Sequence, residues 1–339
     1  MSGRRFLAAG IAALMLSACG SYGDFALPTP KGAVSAAFFQ WEPRSSPVLS
    51  PGASGEWDSV DVLNPSVVKF GGVYYNLYSG FDGKTWHTGV ATSADGVSWA
   101  KQGKALSPDP ATWEGDYIAA NGSALVVGRE ILYWYQAGRV PRIGLAHSSD
   151  AHGWRKLREP VLRGGPRGSW DERGIADPYV IRLGNSYYMY YLGQDRARRQ
   201  RLGVARSRDG VKWQKLRSNP ILELGPAGTF DERGVGEPAV WVSHGRYWML
   251  YTGRDRGEQR RLGLARSRDG VHWERNSRFP VFTGGQSWNA KVVCDPSVEQ
   301  EAGVLRVWFG GGDVASPDEN LHGRIGLATL EAVSANLSK

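Results

Sequence analysis

The chain is nearly devoid of cysteine: two residues in 339, Cys19 and Cys294. With Cys19 in an N-terminal leader, no internal disulfide is possible, and the core has to be held by packing alone. A membrane-spanning helix is also missing. The apolar run from Phe6 to Leu16 falls short of the ~20 residues a bilayer requires. Six histidines stand at no metal-ligand spacing with the cysteines, so neither a metal nor another cofactor is expected. The formal charge is +8, yet no Lys/Arg-rich run interleaves with aromatics, which excludes a nucleic-acid surface.

The leader itself is informative. Arg4 and Arg5 precede the apolar run, and Leu16-Ser17-Ala18-Cys19 follows it. A basic start, a short apolar stretch and small residues before a cut form a secretory signal, and Cys19 in that setting resembles the lipidated cysteine of a bacterial lipobox. Residues 1–19 therefore read as a lipoprotein signal peptide, 20–35 as a tether and 36–339 as one catalytic domain. The expected location is the periplasm or outer membrane, with a lipid anchor as the only membrane contact.

Glycine (45) and tryptophan (14) are abundant, and they recur with a period. Leu202-Gly-Val-Ala-Arg-Ser-Arg-Asp-Gly-Val-Lys-Trp213 is repeated at Leu262 to Trp273, at Thr88 to Trp99 and more loosely at Ile143 to Trp154. A fifth, partial copy runs from Arg324 to Thr329. An aromatic marker leads each unit: Trp57, Trp113, Trp170, Phe230 and Trp288. Within a unit, apolar alternation broken by Asp-Gly turns reads as four strands. Four-stranded units repeated radially make a β-propeller. The expected fold is therefore all-β: a five-bladed propeller with four-stranded blades. Trp41 to Leu49 matches the fourth-strand phrase beginning at Trp154, so the N-terminal strand is expected to complete blade five and close the ring. The repeat tryptophans are expected to pack between blades.

In a propeller the first strand of each blade lines the axis. The five expected strand openings are Asn64-Pro65, Asn121-Gly122, Asp177-Pro178, Glu237-Pro238 and Asp295-Pro296. Three carboxyls converging on one axis raise each other's proton affinity, which is how an acid is kept protonated for catalysis. Glycoside cleavage needs such a set. Loops rich in arginine surround the same mouth, and Arg173, Arg233 and Arg254 are candidates for anionic groups on a glycan. Trp86 and His87 stand outside the repeat pattern and are candidate sugar contacts.

With Asp-Pro at 177 and Glu-Pro at 237, residues 41 to 330 resemble the five-bladed glycoside hydrolases of families 43, 32 and 68, with some likeness to family 130. The resemblance implies three acids on blades one, three and four: a base, an orienting Asp that tunes proton affinity, and a general acid Glu. These positions fall on Asn64, Asp177 and Glu237. An amide cannot act as a base, so the base is Asp295, with Asn64 and Asn121 contacting substrate, or Asp61, or absent. The arginine that family 32 carries before its middle Asp is replaced by Ala176. The function expected is an exported glycoside hydrolase acting on an oligo- or polysaccharide, furanoside-containing or anionic. The alternative is a non-catalytic glycan-binding lipoprotein of an exopolysaccharide system.

Overall fold

The computed structural model describes residues 21–32, 34, 37–301 and 304–334. The leader, including Cys19, lies outside the described residues. Apart from a short 3-10 turn at Ser287–Asn289, the named elements are strands, and no described helix is long and apolar enough to cross a membrane.

The repeats fold as antiparallel meanders. One comprises Asp61–Phe70, Val73–Phe81, Trp86–Ser93 and Ala100–Leu106; the next Ile118–Val127, Glu130–Ala137, Arg142–Ser148 and Arg155–Lys156. Two more run from Ile175–Leu183 to Trp213–Leu216 and from Gly234–Ser243 to Trp273–Arg275. The last contains Val292–Glu301, Val304–Gly312 and Arg324–Ser334, and Ala37–Pro43 pairs antiparallel with Arg324–Ser334. Below, these are units one to five. The first strands of neighbouring units are stapled by serine hydroxyls: Ser66 Oγ accepts the Ala124 amide at 2.7 Å, Ser123 Oγ that of Val180 at 2.9 Å, and Ser297 Oγ that of Val67 at 3.1 Å.

The Asp-Gly turns are self-contained. In each, the aspartate accepts two amides of its own turn, as Asp209 does from Val211 and Lys212. The turn carbonyl then receives an aromatic from the preceding unit. Trp134 donates to Gly210, Tyr190 to Gly270, and Trp308 of unit five to Gly96 of unit one.

The marker aromatics pack otherwise than expected. Trp57, Trp170, Phe230 and Trp288 lie over paired glycines of their own second and third strands, and a Cβ on Gly80 or Gly89 would sit 2.3 Å from the Trp57 ring. The turn tryptophans do bridge units: Trp213 meets Trp134 and Trp99 meets Trp308, both edge-on.

An acid follows the marker in four units, and each is buried against a cation. Asp58 pairs with Lys101 at 2.6 Å, Glu114 with Lys156 at 2.5 Å, Asp171 with Lys215 at 2.5 Å and Asp231 with Arg275 at 2.8 Å. Tyr78, Tyr135 and Tyr251 donate their hydroxyls to three of them. In unit five the acid is replaced by Asn289 and the tyrosine position by Phe309.

The segment read as a tether is not free. Ser21–Gly23 pairs in parallel with Trp213–Leu216 on the outer edge of unit three, and Leu27 is buried. An alternation too short to read as a strand, in a Pro- and Gly-containing stretch, conceals this from the sequence.

Candidate active site

All five axial residues share a backbone state that composition did not reveal. They are not strand openings. Each first strand begins before its axial residue, two residues earlier in unit three, at Ile175, and three earlier in the others, at Asp61, Ile118, Gly234 and Val292. Pairing with the second strand then slips between 63 and 66, 120 and 123, 176 and 179, 236 and 239, and 294 and 297. Asn64, Asn121, Asp177, Glu237 and Asp295 sit in these bulges with φ of 48°, 49°, 46°, 49° and 52°. A bulge re-aims one side chain, here toward the axis. The left-handed region is tolerable for Asn and Asp but strained for Glu, and costs on the order of 1–3 kcal/mol per residue. Asx capping at strand starts does not account for five such residues.

The five residues line the floor of a cavity of about 260 Å³. Asn64 Nδ2 donates to Asp295 Oδ1 at 2.7 Å, and the Cys294 thiol donates to Asp295 Oδ2 at 2.9 Å. The Asp295 amide donates to Glu237 Oε2 at 3.2 Å. Asn121 Nδ2 donates to Asp177 Oδ1 at 3.3 Å, while Ser79 Oγ donates to Asn121 Oδ1 at 2.9 Å. Gly310 leaves room for Asp295, since a Cβ there would lie 2.8 Å from Oδ2.

The electrostatics favour stored protons. Burial first, then the Glu237 charge, pushes Asp177 up to about 8, against the pull of Asn121 and Arg260. The same two causes drive Asp295 well above the carboxylate range. At neutral pH both carboxyls are therefore protonated. Asp295, with both oxygens engaged and its proton retained, is a poor base.

Of the other sequence candidates, Trp86 and Arg254 line the cavity. Trp86 is stacked on Phe81 with ring centroids 4.7 Å apart. Arg254 Nη1 donates to the Pro317 carbonyl at 3.2 Å and faces Glu258 at the same distance. His87 points the other way, against Trp57 and Ser107, because alternate residues of a strand face opposite sides. Arg173 and Arg233 are exposed on the rim and do not line the cavity. Asp61 is buried and accepts the amides of Asn320, Leu321 and Gly323, so it clamps a loop instead of reaching the axis.

Arg260 was missed. It is buried, lines the cavity and donates to the Ser316 and Pro317 carbonyls. Burial works against its charge, but the acids beside it, Glu237 foremost, outweigh that and hold the guanidinium above its ordinary value. A signal existed: the matching repeat positions Trp86, Pro141 and Gln200 also line the cavity. Gln136 and Asp318 line it too, and Asp318, in a loop without a repeat counterpart, gave none.

Glu237, Cys294 and Asp295 are the one described group whose ligand atoms lie close enough for a cation, within 4.8 Å of one another. Burial pushes the Cys294 thiol well up, favouring S–H over the thiolate that a metal needs.

The model of the glycosyl hydrolases family 32 N-terminal domain matches residues 66–288. An uncharacterized protein of Mycobacterium tuberculosis is 30% identical over 231 residues, 63% of this chain and 75% of that protein. A 1,2-beta-oligomannan phosphorylase of Thermoanaerobacter is 26% identical over 184 residues, 52% of this chain and 57% of that one. Among solved structures, a glycosyl hydrolase from Bacteroides ovatus superposes with a TM-score of 0.68 at 17% identity, covering 92% of this chain and 99% of that one. The all-β architecture is that of the propeller glycoside hydrolases.

Proposed function

The chain belongs to the glycosyl hydrolase family 32 N-terminal domain family, and from that premise we propose that it cleaves glycosidic bonds in an oligo- or polysaccharide. The observation that carries this is the set of three carboxyls, Asp177, Glu237 and Asp295, each aimed into one cavity by a left-handed bulge. Glu237 is the general acid at the leaving oxygen. Asp177, which stores a proton at neutral pH, orients and recharges it. Asp295 fixes Glu237 through its amide; in hydrolysis it must shed its own proton before it can take one from water. Arg254 and Arg260, not Arg173 and Arg233, are the cations placed to meet an anionic group on the substrate.

A second reading, phosphorolysis, is favoured by one feature. Neither Asp177 nor Asp295 offers a free base at neutral pH, and inorganic phosphate is a nucleophile that needs none; Arg254 and Arg260 beside Glu237 suit its charge. The oligomannan phosphorylase among the relatives agrees with it.

The larger frame is part of the same proposal. The meanders read as five blades, with Ala37–Pro43 supplying the fourth strand of the last, and pairing between the chain ends supports closure. Residues 1–19 read as the leader of an exported lipoprotein acylated at Cys19, with the catalytic domain extending back to the docked segment at Ser21.

The test is incubation of the protein with neutral and acidic oligosaccharides, with and without inorganic phosphate. Reducing sugar released without phosphate indicates hydrolysis, and sugar phosphate formed with it indicates phosphorolysis. Glycan binding with neither product, unaffected by Glu237→Gln, would leave a glycan-binding module and overturn the enzyme.

A further inference from the structure

The cavity opens at one end of the meanders, where Ala176, Gln194, Gln200 and Gly234 line it. In unit three the opposite end carries the hairpin at Leu183 and Ser186 and, paired through Tyr187 and Ser207, the start of the outer strand at Trp213. Ser21 pairs with Gln214, at that same far end. From there the chain is fastened: Arg217 donates its amide to Gly23, Leu27 to Asp269 at 2.9 Å, and Tyr247 its hydroxyl to Pro28. Phe25 lies beneath the Arg206 guanidinium, 4.9 Å from it. Cys19 precedes Ser21 by two residues, so its reach from this edge is no more than ~7 Å.

The charge at the far end is uneven. Units three and four expose Arg182, Arg208, Lys212 and Arg268 there, with His244 and His272. Asp209 and Asp269 accept amides of their own turns, Asp269 also faces His272 at 2.7 Å, and Glu274 faces Arg266 at 3.4 Å, which leaves the four cations without a salt bridge among the described residues. At the same end of the other units, Arg129 is exposed, but Lys69 is spent on Glu301, and Glu130 faces His147. A basic surface gains about 1 kcal/mol per Lys or Arg close to anionic headgroups, and it supplies the second signal that a lipid anchor generally needs.

We propose that the far ends of units three and four rest on an anionic lipid surface, with the funnel mouth turned away from it toward soluble glycan. This rests on the reading of Cys19 as the acylated residue. A strand of eight residues spans about 26 Å, so the two faces differ in depth by that order.

The test uses the full-length protein, processed in its host membrane and reconstituted in phosphatidylglycerol vesicles. A thiol-reactive fluorophore is placed at Lys212→Cys on the far end or at Ala197→Cys on the mouth side of the same unit, both exposed. Cys294, fully buried, stays out of reach. With nitroxide-headgroup lipid as quencher, the label at 212 is expected to be quenched several-fold more than that at 197. Adding Arg208→Glu and Arg268→Glu should bring the ratio toward one. Equal quenching at the two sites, or a preference that charge reversal leaves unchanged, overturns the proposal. Mass spectrometry of the same samples reads Cys19 separately. An unacylated chain removes the anchor and the orientation together, whereas acylated protein with equal quenching removes only the orientation.

Discussion

Two sets of acids are sheltered from solvent in this molecule, one at the roots of units one to four and one at the axis, and they are treated oppositely. Asp58, Glu114, Asp171 and Asp231 each face a lysine or arginine within 2.8 Å. Asp177, Glu237 and Asp295 face one another, and none forms a salt bridge in the described structure. Pairing satisfies a charge in place; crowding carboxyls together stores protons. The repeat thus generates both arrangements from one plan, the first for packing and the second for the proposed chemistry.

Breaking the axial set should have the largest effect, and on activity alone. Glu237→Gln or Asp177→Asn is expected to lower kcat/KM by about 10³-fold, within the range for a lost acid or base. Stability should hold or rise, since Asp177→Asn removes the cost of holding that carboxyl protonated and Glu237→Gln removes the charge that raises it. Glycan cleavage rates and melting curves on the same preparations check this, and a variant that loses activity only because it melts would erase the distinction between the two sets.

Breaking a root pair should do the reverse. Asp171→Ala leaves Lys215, 1% exposed, without its counter-charge, and is expected to cost roughly 3 kcal/mol of stability. Urea unfolding reads the loss. Below the new melting point, kcat should stay near that of the parent, because Asp171 touches nothing in the cavity.

The pH profile separates the sets more gently. Asp177 titrates at about 8 in the folded protein, far above an unfolded aspartate. The folded state therefore binds more protons than the unfolded one between roughly pH 4 and 8. This contribution to stability is full below the unfolded value and is lost as pH climbs through about 8. Activity should fall about tenfold per unit above that point. Asp177→Asn should flatten the stability slope and leave the protein more resistant to alkali than the parent.

Much of the fold was legible because a propeller repeats its signals. Asp-Gly turns and marker aromatics recur from unit to unit, so an error in one unit is corrected by the others. The bulges were not legible, since Asp-Pro fixes a kink without stating its hand, and only the slip in pairing reveals that the side chain points inward. Glu237 was identified by type; its strain was not. Arg260 lay hidden among rim arginines that mostly pair with loop acids, as Arg199 and Arg201 do with Asp195. His87 was misplaced because it reads as a loop residue beside Trp86, whereas both lie on the strand Trp86–Ser93, where neighbours face opposite sides. The docked segment from Ser21 was misread because its composition is that of a linker, and Leu27 finds its pocket only after units three and four are assembled.

Unit five offers the smallest and most selective test of the comparison. Its root residue is Asn289, which is 1% exposed and accepts the amides of Gly285 and Gln286. Asn289→Asp adds an acid at a root position where no salt bridge awaits it. Two amides soften the penalty, but Asp61 shows the limit of that help: three amides bond to it, and burial still raises its pKa. The variant is therefore expected to lose roughly 1–2 kcal/mol at neutral pH. Its folded pKa lies above the unfolded value, so the deficit should vanish as pH falls below about 4 and the carboxyl takes up its proton in both states. Thermal melts across pH 3 to 8 measure this. A variant as stable as the parent at pH 8 would mean that a root acid needs no cation, and the contrast between the two sets would then lie in their backbone alone.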